Sequence, residues 1–249
     1  LNKNEIKIIN DSLNFLLTIR NHLHINKKHE IDVIDFNSQI NVANFLNIND
    51  KDFLKKETLF MKKLYSTINK VSELTDKIIQ KTLTKKIFTS KRIQNLDDFF
   101  IIHRGMLRAI NPQNLFENPN NILKAFEYSA IHNIEISDDL VNEIKKTNTQ
   151  KFSSTDIEII NKNFINILKK GKNIYQILSN LNKNEVLSFI IDEFKIIKDL
   201  PLTDPSHLYT VDVHSILLIK EYEKLINGEY KKEFPFETSI AQKLKRKEI

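Results

Sequence analysis

The sequence contains no cysteine, which removes disulfide frameworks, thiolate nucleophiles and thiolate metal sites from the chemistry open to it. That fits a reducing, cytoplasmic compartment. Only 3 glycines and 5 prolines occur in 249 residues, too few for a turn-rich β protein and suited to long helices with short connections. An all-α fold is expected. No apolar run approaches the ~18 residues of a membrane span, and no charged-then-apolar secretory segment opens the chain. A soluble protein with no membrane association follows as the expectation. None of the 7 histidines is followed by Asp, no Gly-Ser pair occurs, and there is no Gly-x-Ser-x-Gly elbow.

What is present begins with 41% hydrophobic residues, enough for a core, and a formal charge of +6. Clustered cations would draw a phosphate backbone by counterion release, but here the lysines are scattered among acids along helices. The arginines are Arg20, Arg92, Arg104, Arg108 and Arg246, with no basic stripe interleaved with aromatics. The charge reads as solvated surface, and nucleic acid is not an expected partner.

Helical spacing is nearly continuous. Ile9, Leu13, Leu16 and Leu17 define the expected buried face of a first helix, and Asp35 to Asn47 a short second one. The chain begins at Leu1 without a methionine, so a preceding segment is expected. Asp52 is expected to open the longest helix, with Phe53, Phe60, Leu64, Val71, Leu74 and Ile78 as its seam. The Asp50-Lys51-Asp52 spacing matches a carboxylate pair that could hold Mg²⁺, but it precedes a helix, where capping accounts for it. His22, His24 and His29 near Arg20 do not share one face and so do not make a zinc set. Between Lys85 and Pro112 the helical period fails, and a short strand near Phe99 to Leu107 is expected. His103 and Arg104 beside Gly105 read as a surface turn. Pro119 is expected to start a helix with Leu123, Phe126 and Ala130 inward. Thr155 and Glu158 form a capping-box pattern for the helix ending at Gly171, and Ser137 caps another. From Ile174 to Ile197 short helices alternate with Asn-rich turns, and two prolines in PLTDPSH at 201–207 break the pattern before the next helix.

The stretch with the most chemistry is HLYTVDVHSILLIKEYEKL, His207 to Leu225. Thr210 is placed to cap the helix and Asp212 to compensate its dipole. His214, Leu218, Glu221 and Leu225 recur at intervals of four, three and four, which puts the imidazole on an apolar face expected to point inward. Spacing leaves two roles for His214: a core or helix-start histidine, or a metal ligand.

YTVDVHS at 209–215, with His207 before it, resembles the entry to the His-Asp (HD) hydrolase domain of the bifunctional PII uridylyltransferase/uridylyl-removing enzyme family. FLLTIRNHLHI at 15–25, FMKKLYSTINKVSELTDKI at 60–78, NPQNLFENPNNILKAFEYSAIHNIEIS at 111–137 and FINILKKGKNIYQILSNLNKNEVLSFIIDEFKII at 164–197 resemble the family's helical segment in the same order. The sequence departs from the family at LPLTDPS and at Asp192-Glu193-Phe194.

The resemblance implies a helical segment at 1–200, following a nucleotidyltransferase domain, and a linker with the first part of an HD domain at 201–249. It implies an enzyme that transfers UMP from UTP to the PII protein and removes it again in response to glutamine, with a divalent metal, Mg or Mn, as cofactor. It makes His214 the first metal ligand. An HD site also needs an adjacent His-Asp pair and a further Asp, which this sequence does not supply, so the chain alone is expected to be inactive. A reading from another class is a freestanding helical interaction module in which His214 is structural.

Overall fold

The computed structural model describes residues 3–48, 55–87, 93–112, 115–118, 120–147, 153–170, 173–202 and 209–244. The expected roles of Asp50, Asp52, Phe53, Pro119, Gly171 and His207 lie outside the described residues, as do Arg92 and Arg246. Packing divides the chain into two compact units, one of residues 1–87 with 197–211 and the other of residues 88–196 with 212–249. This is a different cut from the division at 200 and 201 that the family resemblance implies.

The first unit is built from α1 (Lys3–Lys27), α2 (Phe36–Phe45) and α3 (Lys56–Ile87). Ile19, Leu23, Val42, Ala43, Phe60 and Leu64 form its buried apolar cluster. On α1 the buried stripe is Glu5, Ser12, Ile19 and Leu23, whereas Leu13 and Leu17 are exposed. The expected face is therefore rotated. The stripe includes a carboxylate because Lys77 Nζ reaches Glu5 Oε1 at 2.8 Å, so the buried acid is paired. Hydrophobicity could not identify a face that contains a serine and a glutamate. The seam of α3 is deepest at Phe60 and Leu64; Val71 and Leu74 are half-buried and Ile78 is exposed. Asn69 on α3 donates to the buried Asp199 at 2.7 Å, fixing the 197–202 segment within the same unit. His24 and Arg20 both reach Asp32, while His22 stacks on Phe45 with ring centroids 4.0 Å apart.

The start of α2 is set by Asp35, whose Oδ1 accepts the Ser38 N–H at 2.7 Å. The adjoining Ser38 hydroxyl and N–H, with the Lys27 ammonium, hold the Asp35 carboxyl down from 3.8 to about 2. A depressed folded-state pKa means that the stabilisation is complete above about pH 4 and disappears as pH falls from 3.8 towards 2. The melting-temperature gap between wild type and Asp35→Ala is accordingly expected to narrow over that window. A gap that is the same at pH 5 and pH 2.5 would refute the cap's charge dependence.

The second unit begins with strands β1 (Ile93–Asn95), β2 (Phe100–His103) and β3 (Met106–Ala109), followed by a 3₁₀ turn at Leu115–Glu117. Then come α4 (Asn120–His132), β4 (Glu135–Ile136), α5 (Asp138–Thr147) and α6 (Ser154–Lys170). It continues with α7 (Ile174–Lys183), α8 (Leu187–Ile190), α9 (Asp192–Ile197), α10 (Val211–Asn227) and α11 (Pro235–Lys243). The chain is predominantly helical, but the all-α expectation is corrected by a four-stranded sheet of order β1-β2-β3-β4.

The β2–β3 hairpin falls where a strand was expected; β1 and β4 were not foreseen because three and two residues carry no readable alternation. His103 pairs with Met106 across Arg104 and Gly105, whose φ values of 53° and 71° both lie in the left-handed region. Two such residues make a type I′ turn, whose twist matches the flanking strands. β4 joins β3 in parallel after α4, as a crossover connection requires. Asp97 ties the β1–β2 turn to α4. Its Oδ1 accepts the N–H groups of Phe99 and Phe100, both at 2.8 Å, and its Oδ2 meets Lys124 Nζ at 2.5 Å and the Tyr128 hydroxyl at 3.0 Å. Burial pushes the Asp97 carboxyl up, but Lys124, the two N–H groups and Tyr128 outweigh it and the net direction is down.

The core of this unit gathers Phe100 and Leu107 from the sheet, Ile122, Phe126 and Ala130 from α4, and Ile160, Phe164, Ile177 and Leu181 from α6 and α7. Leu123, Phe126 and Ala130 are inward as the spacing predicts. The capping box of α6 is displaced from Thr155 and Glu158 to Ser153 and Asp156. The Ser153 hydroxyl and N–H donate to Asp156 Oδ2 at 2.6 and 3.1 Å, and the Asp156 N–H returns to Ser153 Oγ at 3.2 Å. Aspartate at the third helical position does the work assigned to glutamate two residues later.

Candidate functional site

The His207–Leu225 stretch resolves, from Tyr209 onward, into α10 and the residues leading into it. Thr210 occupies the position before the helix and is buried, but its hydroxyl has no hydrogen-bond partner among the described residues, so the expected side-chain cap is not made. The Val211 N–H instead donates to Leu200 O at 2.8 Å. The helix ends at Gly228, φ 78°, where the N–H groups of Gly228 and Glu229 return to Leu225 O and Lys224 O. A Cβ there would stand 3.0 Å from Gln242 Nε2 as well as straining the backbone.

The face that α10 turns into the second unit is Asp212, Ile216, Ile219 and Glu223, spaced by four, three and four. His214, Leu218, Glu221 and Leu225 share the spacing but start two residues later, which at about 100° per residue puts them on the opposite side. Leu218 is 59% exposed and His214 half-buried. The expected inward face of the His214 stripe is therefore corrected with respect to this unit's core. Two stripes of the same period lay on one helix, and the inward one contains two acids.

Each of those acids meets α7. Asp212 is completely buried, and its Oδ2 accepts Asn182 Nδ2 at 2.8 Å near the end of α7. At the other end, Glu223 Oε1 accepts the Ile174 N–H at 2.6 Å and Oε2 the Tyr175 N–H at 3.4 Å. Asn173, at φ 56°, makes no side-chain cap and gives its amide to Ala130 O at 3.2 Å, so Glu223 supplies the negative group at the N-terminus of α7. Lys220 lies over the Tyr175 ring, 5.2 Å from its centroid. Farther out, hydrogen bonds from Tyr230 and Lys224 lower the Glu221 carboxyl.

Between α10 and the layer of α6, α7 and α9 lies a cleft of about 680 Å³, with Phe164, Leu168, Ile174, Phe194, Ile216 and Ile219 in its walls. It is mainly apolar and offers shape rather than acid–base chemistry. No group of three or more His, Asp or Glu side chains close enough for a metal ion occurs among the described residues. His214 is one possible donor; the described residues do not complete a divalent-metal site around it, and no hydrolytic step is assigned to them. Sequence reasoning missed Asn182 and Glu223. The signal available was the Asp212-Ile216-Ile219-Glu223 stripe itself, in which two acids bracket two isoleucines at helical spacing.

The family profile described as GlnD PII-uridylyltransferase matches residues 1–79. A bifunctional uridylyltransferase/uridylyl-removing enzyme of Legionella pneumophila (strain Paris) is 27% identical over 244 residues, covering 95% of this chain and 28% of its own length. The chain is related to these bifunctional enzymes. The enzyme of the same name from Pseudomonas savastanoi pv. phaseolicola is 27% identical over 264 residues, and that of Acinetobacter baylyi 26% over 259, each covering 98% of this chain. The chain spans 28–29% of the length of these uridylyltransferase/uridylyl-removing relatives. No solved structure matches it significantly. Among the described residues no helix is long and apolar enough to cross a membrane.

Proposed function

We propose that this chain is the helical segment and the entry to the HD domain of a bifunctional enzyme that transfers UMP from UTP to the PII protein and hydrolyses it off in response to glutamine. The observation that carries the reading is alignment over 95% of the chain with an enzyme named for both activities. The relationship extends through both packing units and includes the His214 helix. In the longer enzyme His214 would be one ligand of a divalent metal, Mg or Mn, whose chemistry is to acidify water for attack on a phosphodiester. The protein is read as cytoplasmic.

The chain itself holds neither a Gly-Ser turn with a carboxylate pair nor a His-Asp pair. Purified as these 249 residues, it is expected to show no transfer from labelled UTP to PII and no release from uridylylated PII above a heat-killed control. The longer protein from the same reading frame is expected to do both, with glutamine favouring removal. A longer protein that folds and does neither would overturn the proposal.

A further inference from the structure

The hydrophobic cluster of the second unit receives little from α10: Ile216 is buried in it and Ile219 packs against it, and the same helix forms a wall of the 680 Å³ cleft. A helix seated over open space is not held in register by interlocking side chains, because dispersion falls away across a gap. Directional bonds must then set its position. Asp212 and Glu223 supply them at opposite ends of one stripe, the first to Asn182 in the last turn of α7 and the second to the N–H groups of Ile174 and Tyr175 in its first. Sliding α10 along its axis or rolling it would break both, and each would leave a carboxylate with fewer partners. Two bonds about three turns apart fix translation and rotation together.

We infer that Asn182 and Glu223 are positioning residues for uridylyl removal: paired with Asp212 and the start of α7, they fix α10, and thereby the opposite face that carries His214. This rests on the proposed function. It needs no group beyond those present, since the tethers act on the helix and leave the reacting atoms to the other face. A displacement of about 1 Å at a reacting group can cost about a hundredfold in rate, so small slippage of α10 is enough.

The test uses the longer enzyme. Asn182→Asp sets two carboxylates against each other in a buried site, and the double variant Asn182→Asp/Asp212→Asn restores a donor–acceptor pair with the roles exchanged. Asn182→Asp is expected to lower kcat for removal about a hundredfold with KM for uridylylated PII unchanged and transfer intact. The double variant is expected to recover most of that loss. Glu223→Gln, which keeps the shape and removes the charge, should lower kcat for removal in the same selective way, and provides the folded arm if the single carboxylate variant is insoluble. Hydrogen exchange of the α10 amides should quicken in the single variants and return in the double.

Wild-type removal rates in both Asn182→Asp and Glu223→Gln would overturn the inference. So would equal loss of transfer and removal with a fallen melting temperature and no recovery in the double variant, the pattern of a merely structural pair. An unmodified enzyme without removal activity would overturn the proposed function itself, an outcome distinguishable because it is read before any variant is made.

Discussion

Phe126→Ala is expected to destabilise the second unit by about 3–5 kcal/mol, the cost of deleting a large ring from a core that cannot close over the space. The residue is completely buried in the middle of α4 and belongs to the cluster that draws on the sheet, α4, α6 and α7 together. A domain of this kind has about 5–15 kcal/mol in all, so one substitution removes a large share of it. Leu218→Ala provides the contrast: the same type of truncation on a helix, at a residue 59% exposed, is expected to stay within about 0.5 kcal/mol. Urea melts of the two variants with unchanged slope would read the difference as stability. Similar midpoints for both would mean that the core has been placed on the wrong face of α4.

The elements that were legible are those whose buried side carries enough apolar residues at helical spacing to mark it. Leu123, Phe126 and Ala130 on α4 and the short pieces from Ile174 to Ile197 follow from spacing and turn residues. The expectations failed on α1 and α10, where an inward carboxylate is satisfied by a distant partner. Glu5 is paired by Lys77, 72 residues away in sequence, and Asp212 by Asn182, 30 residues away. A local pattern carries no information about such partners, so α1 was rotated and the wrong stripe of α10 was taken as inward. The shift of the α6 cap by two residues has a different cause. Both Ser153-x-x-Asp156 and Thr155-x-x-Glu158 satisfy the pattern, and the first in the chain closes the reciprocal pair. The paired strands beside the hairpin are too short to show a period, and they form because their neighbours offer free edges.

This division also separates two kinds of acid on α10. Asp212 is compatible with the dipole at the start of the helix, as the sequence suggests, but its burial gives it a second task that exposure would not. Buried carboxylates are costly without partners, and the N–H groups at the start of α7 are equally in need of an acceptor. Glu223, half-buried, supplies that acceptor. α10 thus has a side defined by polar tethers to α7 and an opposite side that carries the imidazole.

His214→Ala in the longer enzyme is expected to abolish uridylyl removal while leaving uridylyl transfer in place. His214 is half-buried and stands apart from the Asp212 and Glu223 bonds that seat the helix, so trimming it should cost only about 1–3 kcal/mol of stability. Loss of one ligand from a hydrolytic metal, by contrast, removes several kcal/mol of transition-state stabilisation; at ~4 kcal/mol that is about a thousandfold in rate. The two magnitudes separate a ligand from a structural histidine. His207→Ala, seven residues earlier and outside the metal set that the family implies, should affect removal far less. Both reactions are to be assayed in both variants with thermal melts beside them, and the manganese concentration giving half-maximal removal gives a second readout on any residual activity. A ligand variant should need more metal, whereas a destabilised one should not. A folded His214→Ala enzyme with normal removal would return the residue to a structural role on the outer face of α10.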